Sequence, residues 1–150
     1  MIILAKKSTM EPAFNKILKR DLDTILPYLE NLSSSTAKRS ILKARLEEMY
    51  AQNYECFGVF LDSKLVGTFG LWFMTRHYAG RSCELDHIYL EQAYRSQGLG
   101  KKLFKFVEAY AQSKNCEALE LNSYVENFAS HKFFMNEAYI LRGYHFLKKL

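Results

Sequence analysis

Residues Leu90–Lys101 read LEQAYRSQGLGK and join two segments of different character. The preceding segment, Cys83–Leu90, is apolar and strand-like, whereas Gly98–Lys114 has the clearest helical spacing of apolar residues in the chain. Gly98 and Gly100 lie where the two segments meet, and glycine lets a backbone approach a ligand closely. This junction is therefore the strongest candidate binding site in the sequence.

The start of the helical segment has the properties of a phosphate site. Backbone N–H groups from about Gln97 onward would have no acceptor within the helix, and together with the helix dipole they attract phosphate oxygens. Arg95 and Lys101 add positive charge beside these groups. The net charge of +5 fits an anionic ligand without identifying it.

Two other phosphate motifs fit this segment less well. The Walker motif G-x-x-x-x-G-K-[ST] is absent from the sequence. The dinucleotide motif G-x-G-x-x-G fails at its third glycine, which is Leu103, although Glu120 lies at a tolerable distance for the acidic residue of that motif. A nucleotide-binding α/β protein therefore stays an alternative.

The composition predicts a globular domain. Of 150 residues, 49% are hydrophobic and 25% are charged, which fits one domain with a buried core. We expect residues 1–14 to form an N-terminal extension and residues 15–150 to form the domain. The apolar run Met1–Ala5 is too short for a secretory signal or a membrane span, so we expect a cytoplasmic protein that binds neither membrane nor nucleic acid.

The three cysteines, Cys56, Cys83 and Cys116, lie far apart in the sequence. Their number and spacing fit neither a disulfide framework nor a C-x-x-C metal site, so no metal is expected. Each lies in or beside an apolar strand-like run, where thiols are usually inert. We therefore interpret them as structural residues and not as nucleophiles.

The remaining patterns predict a mixture of strands and helices. The polar run Asp62–Lys64 is typical of a hairpin turn, and Pro27 predicts a kink or an early end in the first helix. The predicted strands are Asn15–Lys19, Glu55–Leu61, Leu65–Met74, Cys83–Leu90, Cys116–Tyr124 and, as one bent strand or a hairpin, Tyr139–Leu150. The predicted helices are Leu22–Leu32, Thr36–Ala51, Gly98–Lys114 and Asn127–Asn136.

The strand Cys83–Leu90 contains an irregularity in its apolar pattern. Leu85 is odd-numbered, whereas Ile88 and Leu90 are even-numbered, so the apolar side chains change face within the strand. A β-bulge near Asp86 and His87 would produce this change, although burial of both faces would also explain it.

The segment Arg95–Gly100, RSQGLG, resembles the Q/R-x-x-G-x-G/A pyrophosphate loop of the GNAT superfamily of acyl-CoA-dependent N-acetyltransferases. The order of the predicted elements from Asn15 onward agrees with this resemblance. It implies an α/β GNAT fold, with a mixed, mostly antiparallel twisted sheet, a splayed parallel pair in the middle and about four flanking helices. The bulge suits that splay.

The resemblance also implies acetyl-CoA as cosubstrate and assigns residues to it. The backbone of the strand end would bind the pantetheine arm, and the loop amides would bind the pyrophosphate. The implied residues are Ile88, Tyr89 and Leu90 for the arm, Arg95, Ser96, Gln97, Gly98, Leu99, Gly100 and Lys101 for the pyrophosphate, and Asn127 and Phe134 on the following helix. Asn127 would serve equally well as a helix cap.

The implied reaction requires a base, because a free alkylamine titrates near the lysine value of about 10.4. Glu84 and Asp86 share one face of a regular strand just before its cofactor-binding end. We expect Glu84 to be the base, with Asp86 second, although either carboxylate could instead pair with Arg76 or Arg81. His87 is a further candidate by its usual pKa, and a bulge leaves open whether it or Asp86 faces the cleft.

The general acid of the family is missing at its usual place. In the family pattern N-x-x-A-x-x-F-Y, the position of the acidic tyrosine is occupied by Phe134, which has no proton to donate. We name Tyr139 as its replacement, with Tyr124 and His131 as alternatives. A thiol has a pKa of about 8.5, so the thiolate could also leave unaided.

These features together predict transfer of an acetyl group from acetyl-CoA to a primary amine, by direct attack in a ternary complex. The expected acceptor is a small molecule. A homodimer is expected only because the resemblance to the family implies it. The alternatives are a non-catalytic acyl-CoA-binding regulatory module, suggested by Phe134, and acetylation of a protein N-terminus or lysine. Tyr78, Arg76 and the segment Ser33–Thr36 are candidates for acceptor contact.

Overall fold

The computed structural model describes residues 11–32 and 37–150. Within them, the strands form a single sheet in the order β1-β2-β3-β4-β5. Neighbouring strands are antiparallel except β4 and β5, which are parallel. The strands are β1 (Ala13–Lys16), β2 (Tyr54–Leu61), β3 (Lys64–Arg76), β4 (Gly80–Leu90) and β5 (Ala118–Leu121).

Four α-helices flank this sheet in the described part of the chain: α1 (Leu26–Leu32), α2 (Arg39–Met49), α3 (Leu99–Ser113) and α4 (Phe128–Asn136). A 3-10 segment, Lys19–Thr24, precedes α1, so the predicted first helix is divided in two. Pro27 lies in the first turn of α1, where its missing N–H costs no hydrogen bond. The predicted acceptor segment Ser33–Thr36 lies outside the described residues.

The sheet has a hydrophobic cluster on each face because apolar side chains point to both sides of its central strands. On one face, which we call the α3 face, residues such as Phe69 and Leu85 pack with Leu103 of α3. On the other, the α1 face, Tyr54 and Cys56 of β2 pack with helices α1 and α2. The hairpin of β2 and β3 turns at Asp62 and Ser63, as predicted, with both residues at positive φ.

The predicted bulge in β4 is confirmed. The register against β3 shifts at His87 and Ile88, which together oppose the single residue Phe69. His87 adopts a φ of +37°. Leu85 and Ile88 both pack on the α3 face, as the irregular pattern requires.

Strands β4 and β5 separate after a short parallel pairing. Ser82–Leu85 pair with Ala118–Leu121, and β5 ends there. Strand β4 continues to Leu90 with β3 on one side only. In the part of the chain that the structure describes, no strand covers the other edge of β4 beyond Leu85, which is the splay expected for the family.

The predicted strand or hairpin Tyr139–Leu150 is wrong. No strand is found from residue 139 to residue 150, and large apolar side chains of this segment are exposed, with Phe146 at 90%. The Arg142 guanidinium lies 5.8 Å from the centroid of the Tyr78 ring, beside the turn between β3 and β4. The segment therefore forms no ladder with β5, and the parallel pair, expected in the middle of the sheet, lies at its edge.

Strand β1 begins earlier than the predicted strand. Ala13 and Phe14, two residues of the expected N-terminal extension, pair with Phe60 and Val59 of β2. Residues 1–10 of that extension lie outside the described part. Of the helices that the structure describes, none is long and apolar enough to cross a membrane.

Candidate active site

The loop after β4 ends in a run of free backbone amides. The N-cap residue of α3, Gly98, has a φ of +79°, which glycine adopts without steric cost. Among the described residues, none accepts a hydrogen bond from the amides of Ser96–Lys101, and the first turn of α3 has no acidic side chain. A Cβ built on Gly98 would meet no atom within 4 Å, so the space beside these amides is open. The loop therefore fits a phosphate group.

Arg95 plays a different part from the one expected. Its amide donates to the carbonyl oxygen of Gln92 at 3.2 Å, so this N–H group is already used. Its Nε donates to the Leu90 carbonyl at 2.7 Å, and its guanidinium lies 5.4 Å from the centroid of the Tyr89 ring. Arg95 therefore ties the loop to the end of β4.

The side chains of the loop leave its amides accessible. The Gln97 side chain donates back to the Ala93 carbonyl at 2.8 Å. The Leu99 side chain is buried in the α3-face cluster, so only its backbone amide can contact a ligand. Ser96, Gly98 and Lys101 are exposed, and Gly100 is half-buried. A ligand at this loop would consequently contact mainly backbone.

The strand end expected to bind the pantetheine arm has an open edge. Ile88 and Leu90 pack on the α3 face, while the Tyr89 ring contacts the Tyr28 ring in a tilted arrangement with centroids 5.4 Å apart. Beyond Leu85, one edge of β4 pairs with β3 and the other has no strand partner among the described residues. Between the end of this edge at Leu90 and the free amides that begin at Ser96 lies a short segment with a 3-10 helix, Gln92–Tyr94.

Glu84, the predicted base, is held by two side chains on the α1 face. Its Oε2 accepts from Arg76 Nη2 at 3.1 Å, and its Oε1 accepts from Asn122 Nδ2 at 2.7 Å. Its side chain is 19% exposed. The sequence analysis named an ion pair with Arg76 as the alternative to a catalytic role for this carboxylate, and this ion pair is present.

A second carboxylate competes for the same guanidinium. Glu120 on β5 is in register with Glu84, and its Oε2 lies 3.7 Å from Arg76 Nε. The Tyr78 hydroxyl donates to this Oε2 at 3.3 Å. Arg76 and Tyr78, expected to contact the acceptor, thus lie against the acidic pair on the α1 face.

Asp86 lies at the point where β5 leaves β4. Its Oδ2 accepts from Trp72 Nε1 at 3.0 Å, and its Oδ1 accepts from the backbone N–H of His87 at 2.7 Å. Both donors are neutral, in contrast to the guanidinium at Glu84. Because the pairing with β5 ends at Leu85, Asp86 lies at the start of the open edge and Glu84 within the paired part.

The bulge places His87 on the α1 face together with Asp86. The His87 Nε2 and the Tyr54 hydroxyl form a hydrogen bond. Burial lowers the pKa of His87, and the attraction of Asp86 opposes this only in part. The imidazole is therefore neutral near pH 7, and its Nδ1 is buried with no hydrogen-bond partner among the described residues.

Helix α4 carries the two remaining cofactor candidates. Asn127 caps the helix, because its side-chain oxygen accepts from the Ser130 amide at 3.4 Å. Phe134 stacks on Phe104 at 5.8 Å between ring centroids and adds no polar group. Phe133, in contrast, lies 3.5 Å from a Cβ built on Gly100, so α4 packs against the start of α3.

Tyr139, the predicted substitute acid, lies in the α3-face cluster. Its ring packs edge-on against Phe104, and its buried hydroxyl has no partner among the described residues. Burial raises its pKa, with the neighbouring Cys83 and Glu108 contributing in the same direction. The phenol therefore keeps its proton at neutral pH, and its neighbours Phe104 and Glu108 belong to α3 beyond the first turn of that helix.

The cysteines agree with the structural interpretation. Cys56 and Cys83 are buried, and Cys116 is half-buried. Burial raises the pKa of Cys83 to about 12, which keeps it a thiol.

Sequence reasoning missed three residues of this site: Asn122, Tyr54 and Trp72 each make a polar contact to a residue of β4. Tyr54 and Trp72 reach β4 from strands β2 and β3, and Asn122 follows β5. No local motif marks such contacts, since they depend on strand register. Only a correct pairing of the strands could have found them.

Comparison with known proteins identifies the family of the chain. The sequence model of the Acetyltransferase (GNAT) family matches residues 22–136. No curated protein matches the chain.

Solved structures of similar fold share little sequence with the chain. An aminoglycoside N-acetyltransferase in complex with CoA has a TM-score of 0.80 at 15% identity, over 96% of this chain and 97% of its own. A possible acetyltransferase from Clostridium difficile 630 has a TM-score of 0.78 at 16% identity, over 93% and 97%. A ribosomal-protein-alanine N-acetyltransferase from Brucella melitensis biovar Abortus 2308 has a TM-score of 0.76 at 19% identity, over 93% and 99%.

These structures share the fold, and the family match covers more than half of the chain. The free amides at the start of α3, the open edge of β4 and the parallel pairing of β4 with β5 are the features expected of that fold. The chain belongs to the GNAT family of acetyltransferases.

Proposed function

We propose that the protein transfers an acetyl group from acetyl-CoA to a primary amine of a small molecule. The observation that carries this proposal is the run of free amides in Ser96–Lys101, which follows the open edge of β4 after one short 3-10 segment. The amides suit the pyrophosphate of CoA, and the open edge suits an extended pantetheine arm. The two neighbouring groups thus match the two chemically different parts of one cosubstrate.

The amine would attack the thioester carbonyl directly in a ternary complex. The nitrogen forms a bond to the carbonyl carbon, the carbon–sulfur bond breaks, and CoA leaves as a thiolate. The amine must lose a proton during this step, and a carboxylate acting directly or through water can accept it near neutral pH. Buried Cys56 and Cys83 are unsuited to a covalent route, which supports direct attack.

Glu84 is the first candidate for the proton acceptor, and Asp86 is the second. Both lie on the α1 face, opposite the α3 face. An amine or water that approaches Glu84 competes with Arg76 and Asn122 for its oxygens. Asp86 has only neutral donors and lies closer to the open edge, so the two residues must be tested separately.

The leaving thiolate needs a proton or must depart unaided. Phe134 offers none. Tyr139 stays the candidate acid because it carries a phenolic proton, although burial raises its pKa, which weakens it as a donor, and its hydroxyl lies within the α3-face cluster. Because a thiol has a pKa of about 8.5, loss of the acid would slow the reaction without abolishing it.

The acceptor is proposed as a small molecule, and the solved structures of similar fold do not decide it. Their names include an aminoglycoside N-acetyltransferase and a ribosomal-protein-alanine N-acetyltransferase. A protein N-terminus or lysine is therefore the alternative acceptor. The protein is also proposed to form a homodimer, which light scattering would test.

A second candidate function is acyl-CoA binding without catalysis, favoured by the phenylalanine at position 134. Such a module would bind acetyl-CoA as the enzyme does. It would release no thiol from acetyl-CoA with any amine. Thiol release in an amine screen therefore separates the two functions.

Calorimetric titration with acetyl-CoA, CoA, NAD and ATP tests the proposal. We expect selective binding of acetyl-CoA and CoA, which Gly98→Glu abolishes. A carboxylate at the start of α3 repels phosphate, and glutamate does not readily adopt the φ of +79° found there. Gly143→Glu is the matched control, because Gly143 also lies in open space but far from the loop in sequence.

Three results would contradict the proposal or the place it gives to the loop. If neither form of CoA binds, the family site is not functional in this protein. If NAD or ATP binds in preference to CoA, the nucleotide-binding alternative takes its place. Equal losses in Gly98→Glu and Gly143→Glu would remove the loop from the binding site.

A further inference from the structure

An unusual side-chain arrangement crosses three neighbouring strands next to the bulge. Tyr54 lies on β2, Gly70 on β3 and His87 on β4. A Cβ built on Gly70 would lie 2.6 Å from Tyr54 Cε2 and would overlap His87 Nε2. The imidazole therefore passes over Gly70 to reach the Tyr54 hydroxyl, and only glycine leaves room for it.

The hydrogen bond between Tyr54 and His87 lies in a largely apolar environment. The Tyr54 ring contacts Trp72 at 4.9 Å and Tyr50 at 5.5 Å between centroids, and Tyr54 itself is only 5% exposed. Solvent cannot replace the bond there, so breaking it leaves a buried polar group without a partner. Tyr54 therefore holds the imidazole in one place.

This contact acts on the backbone of β4. His87 adopts a φ of +37°, a region that residues with a Cβ rarely occupy. Such a conformation persists only where surrounding contacts determine it. At His87 those contacts are the hydrogen bond to Tyr54, the close fit over Gly70 and the bond from its amide to Asp86.

His87 lies between the part of β4 that pairs with β5 and the part with an open edge. The last residue of β4 that pairs with β5 is Leu85, and the open edge expected to bind the pantetheine arm includes Ile88–Leu90. The bulge determines how the backbone of Ile88–Leu90 is turned relative to β5. A contact that holds the bulge therefore also sets the orientation of this edge.

We propose that Tyr54 and His87 are positioning residues for acetyl-CoA, which hold the β4 bulge through their hydrogen bond over Gly70 and so orient the strand edge that binds the pantetheine arm. This inference rests on the proposed function. It assigns no contact with the reacting atoms to either side chain. Its consequence is that the pair affects binding of the arm and leaves binding of the pyrophosphate unchanged.

Two ligands separate these contributions in the intact protein. Acetyl-CoA carries both the pyrophosphate and the pantetheine arm, whereas adenosine 3′-phosphate 5′-diphosphate keeps the adenosine and the phosphates and lacks the arm. Tyr54→Phe removes only the hydroxyl. His87→Asn removes the imidazole but tolerates a positive φ, since asparagine is enriched in that region.

We expect each variant to weaken acetyl-CoA binding by about threefold to tenfold, the range that loss of one hydrogen bond implies. Binding of the diphosphate fragment should not change. The double variant should bind acetyl-CoA with the same affinity as the more affected single variant, because both changes remove the same contact. A merely structural role would lower thermal stability without this selective, non-additive loss.

Tyr50→Phe is the matched control. Tyr50 lies beside Tyr54 in the same cluster, and its hydroxyl donates to the Ile17 carbonyl on the far side from β4. The change therefore costs a half-buried hydrogen bond but leaves the pair intact. We expect reduced stability with unchanged affinity for both ligands.

Unchanged acetyl-CoA affinity in Tyr54→Phe would overturn the inference, and so would an equal loss for both ligands. If His87→Asn does not fold, the Tyr54→Phe result decides alone, because that change keeps the ring and its packing. Failure of the wild type to bind CoA would refute the proposed function. Normal CoA binding with unaffected variants would refute only the positioning role.

Discussion

The two halves of β4 differ in the number of strands beside them. Ser82–Leu85 lie between β3 and β5, and Cys83 and Leu85 are buried in the α3-face cluster. Asp86–Leu90 have β3 on one side only and contain the bulge. One strand thus contributes a rigid, doubly paired half to the core and a singly paired half to the site. Backbone groups can bind a ligand only where the sheet leaves them unpaired.

The largest expected effect concerns the carboxylate in each half. Glu84→Gln should lower kcat by about 10²- to 10⁴-fold, because an amide cannot accept a proton. Asp86→Asn should lower kcat by less, since Asp86 is the second candidate. Steady-state kinetics with an accepted amine measure both effects, and Glu117→Gln, an exposed carboxylate just before β5, is the control. Unchanged kcat in both variants would show that neither half supplies the base.

The next effect is on stability, and it should differ between the halves. Leu85→Ala should lower the free energy of unfolding by about 2–5 kcal/mol, because it leaves a cavity in the core. Leu85 is 3% exposed, whereas Ile88 is only half-buried, so Ile88→Ala should cost less. Urea denaturation of both variants compares them directly. An equal loss would mean that the open half is packed as tightly as the closed half.

A smaller effect is the dependence of stability on pH at the bulge. Burial lowers the pKa of His87 in the folded state, so below about pH 6.5 the unfolded state binds more protons than the folded state. The free energy of unfolding should therefore fall as the pH decreases from 6.5 towards the folded pKa, by at most about 1.4 kcal/mol per pH unit.

Denaturation of the wild type and of His87→Asn between pH 5 and pH 7 isolates this contribution. The variant should show a shallower decrease, whereas His145→Asn, at an exposed position, should follow the wild type. Parallel curves for the wild type and His87→Asn would show that the imidazole is not held neutral by burial.

The smallest expected effect lies outside both halves, at Tyr139. Tyr139→Phe removes a buried hydroxyl without a partner among the described residues, so stability should rise slightly, by up to about 1 kcal/mol. As the candidate acid, Tyr139 should contribute less than tenfold to kcat, because a thiolate is a good leaving group. Unchanged kcat in the variant would remove Tyr139 from the reaction and leave the thiolate to depart unaided.

Local sequence patterns were sufficient for much of the fold and the loop. The turn at Asp62 and Ser63, the helix from Leu99 and the bulge at His87 each follow from a few neighbouring residues. The free loop amides follow from a helix start that lacks a capping side chain. Arg95 is the one predicted loop residue whose amide is not free. It donates within a 3-10 turn, and no local sequence pattern predicted that turn.

Other features could not be predicted because they depend on partners that are distant in sequence. The segment Tyr139–Leu150 is rich in apolar and aromatic residues, as strands are, but forms no ladder, since a strand exists only against another edge. Glu84 could be named as a carboxylate near the site and Arg76 as one alternative partner, but the choice of that partner and the bond to Asn122 depend on the register of three strands. Tyr54 could not be connected to β4 at all from its own neighbourhood.

The sequence by itself determined most of the strands and helices and indicated the bulge near His87 and the loop Arg95–Lys101, because these depend on local periodicity and on glycine. The tertiary structure decided which edge of β4 stays open, which partners hold Glu84 and Asp86, and that the His87 imidazole passes over Gly70 to Tyr54. Local patterns depend on neighbours along the chain. Burial, register and hydrogen bonding between strands depend on neighbours in space, which only the folded chain brings together.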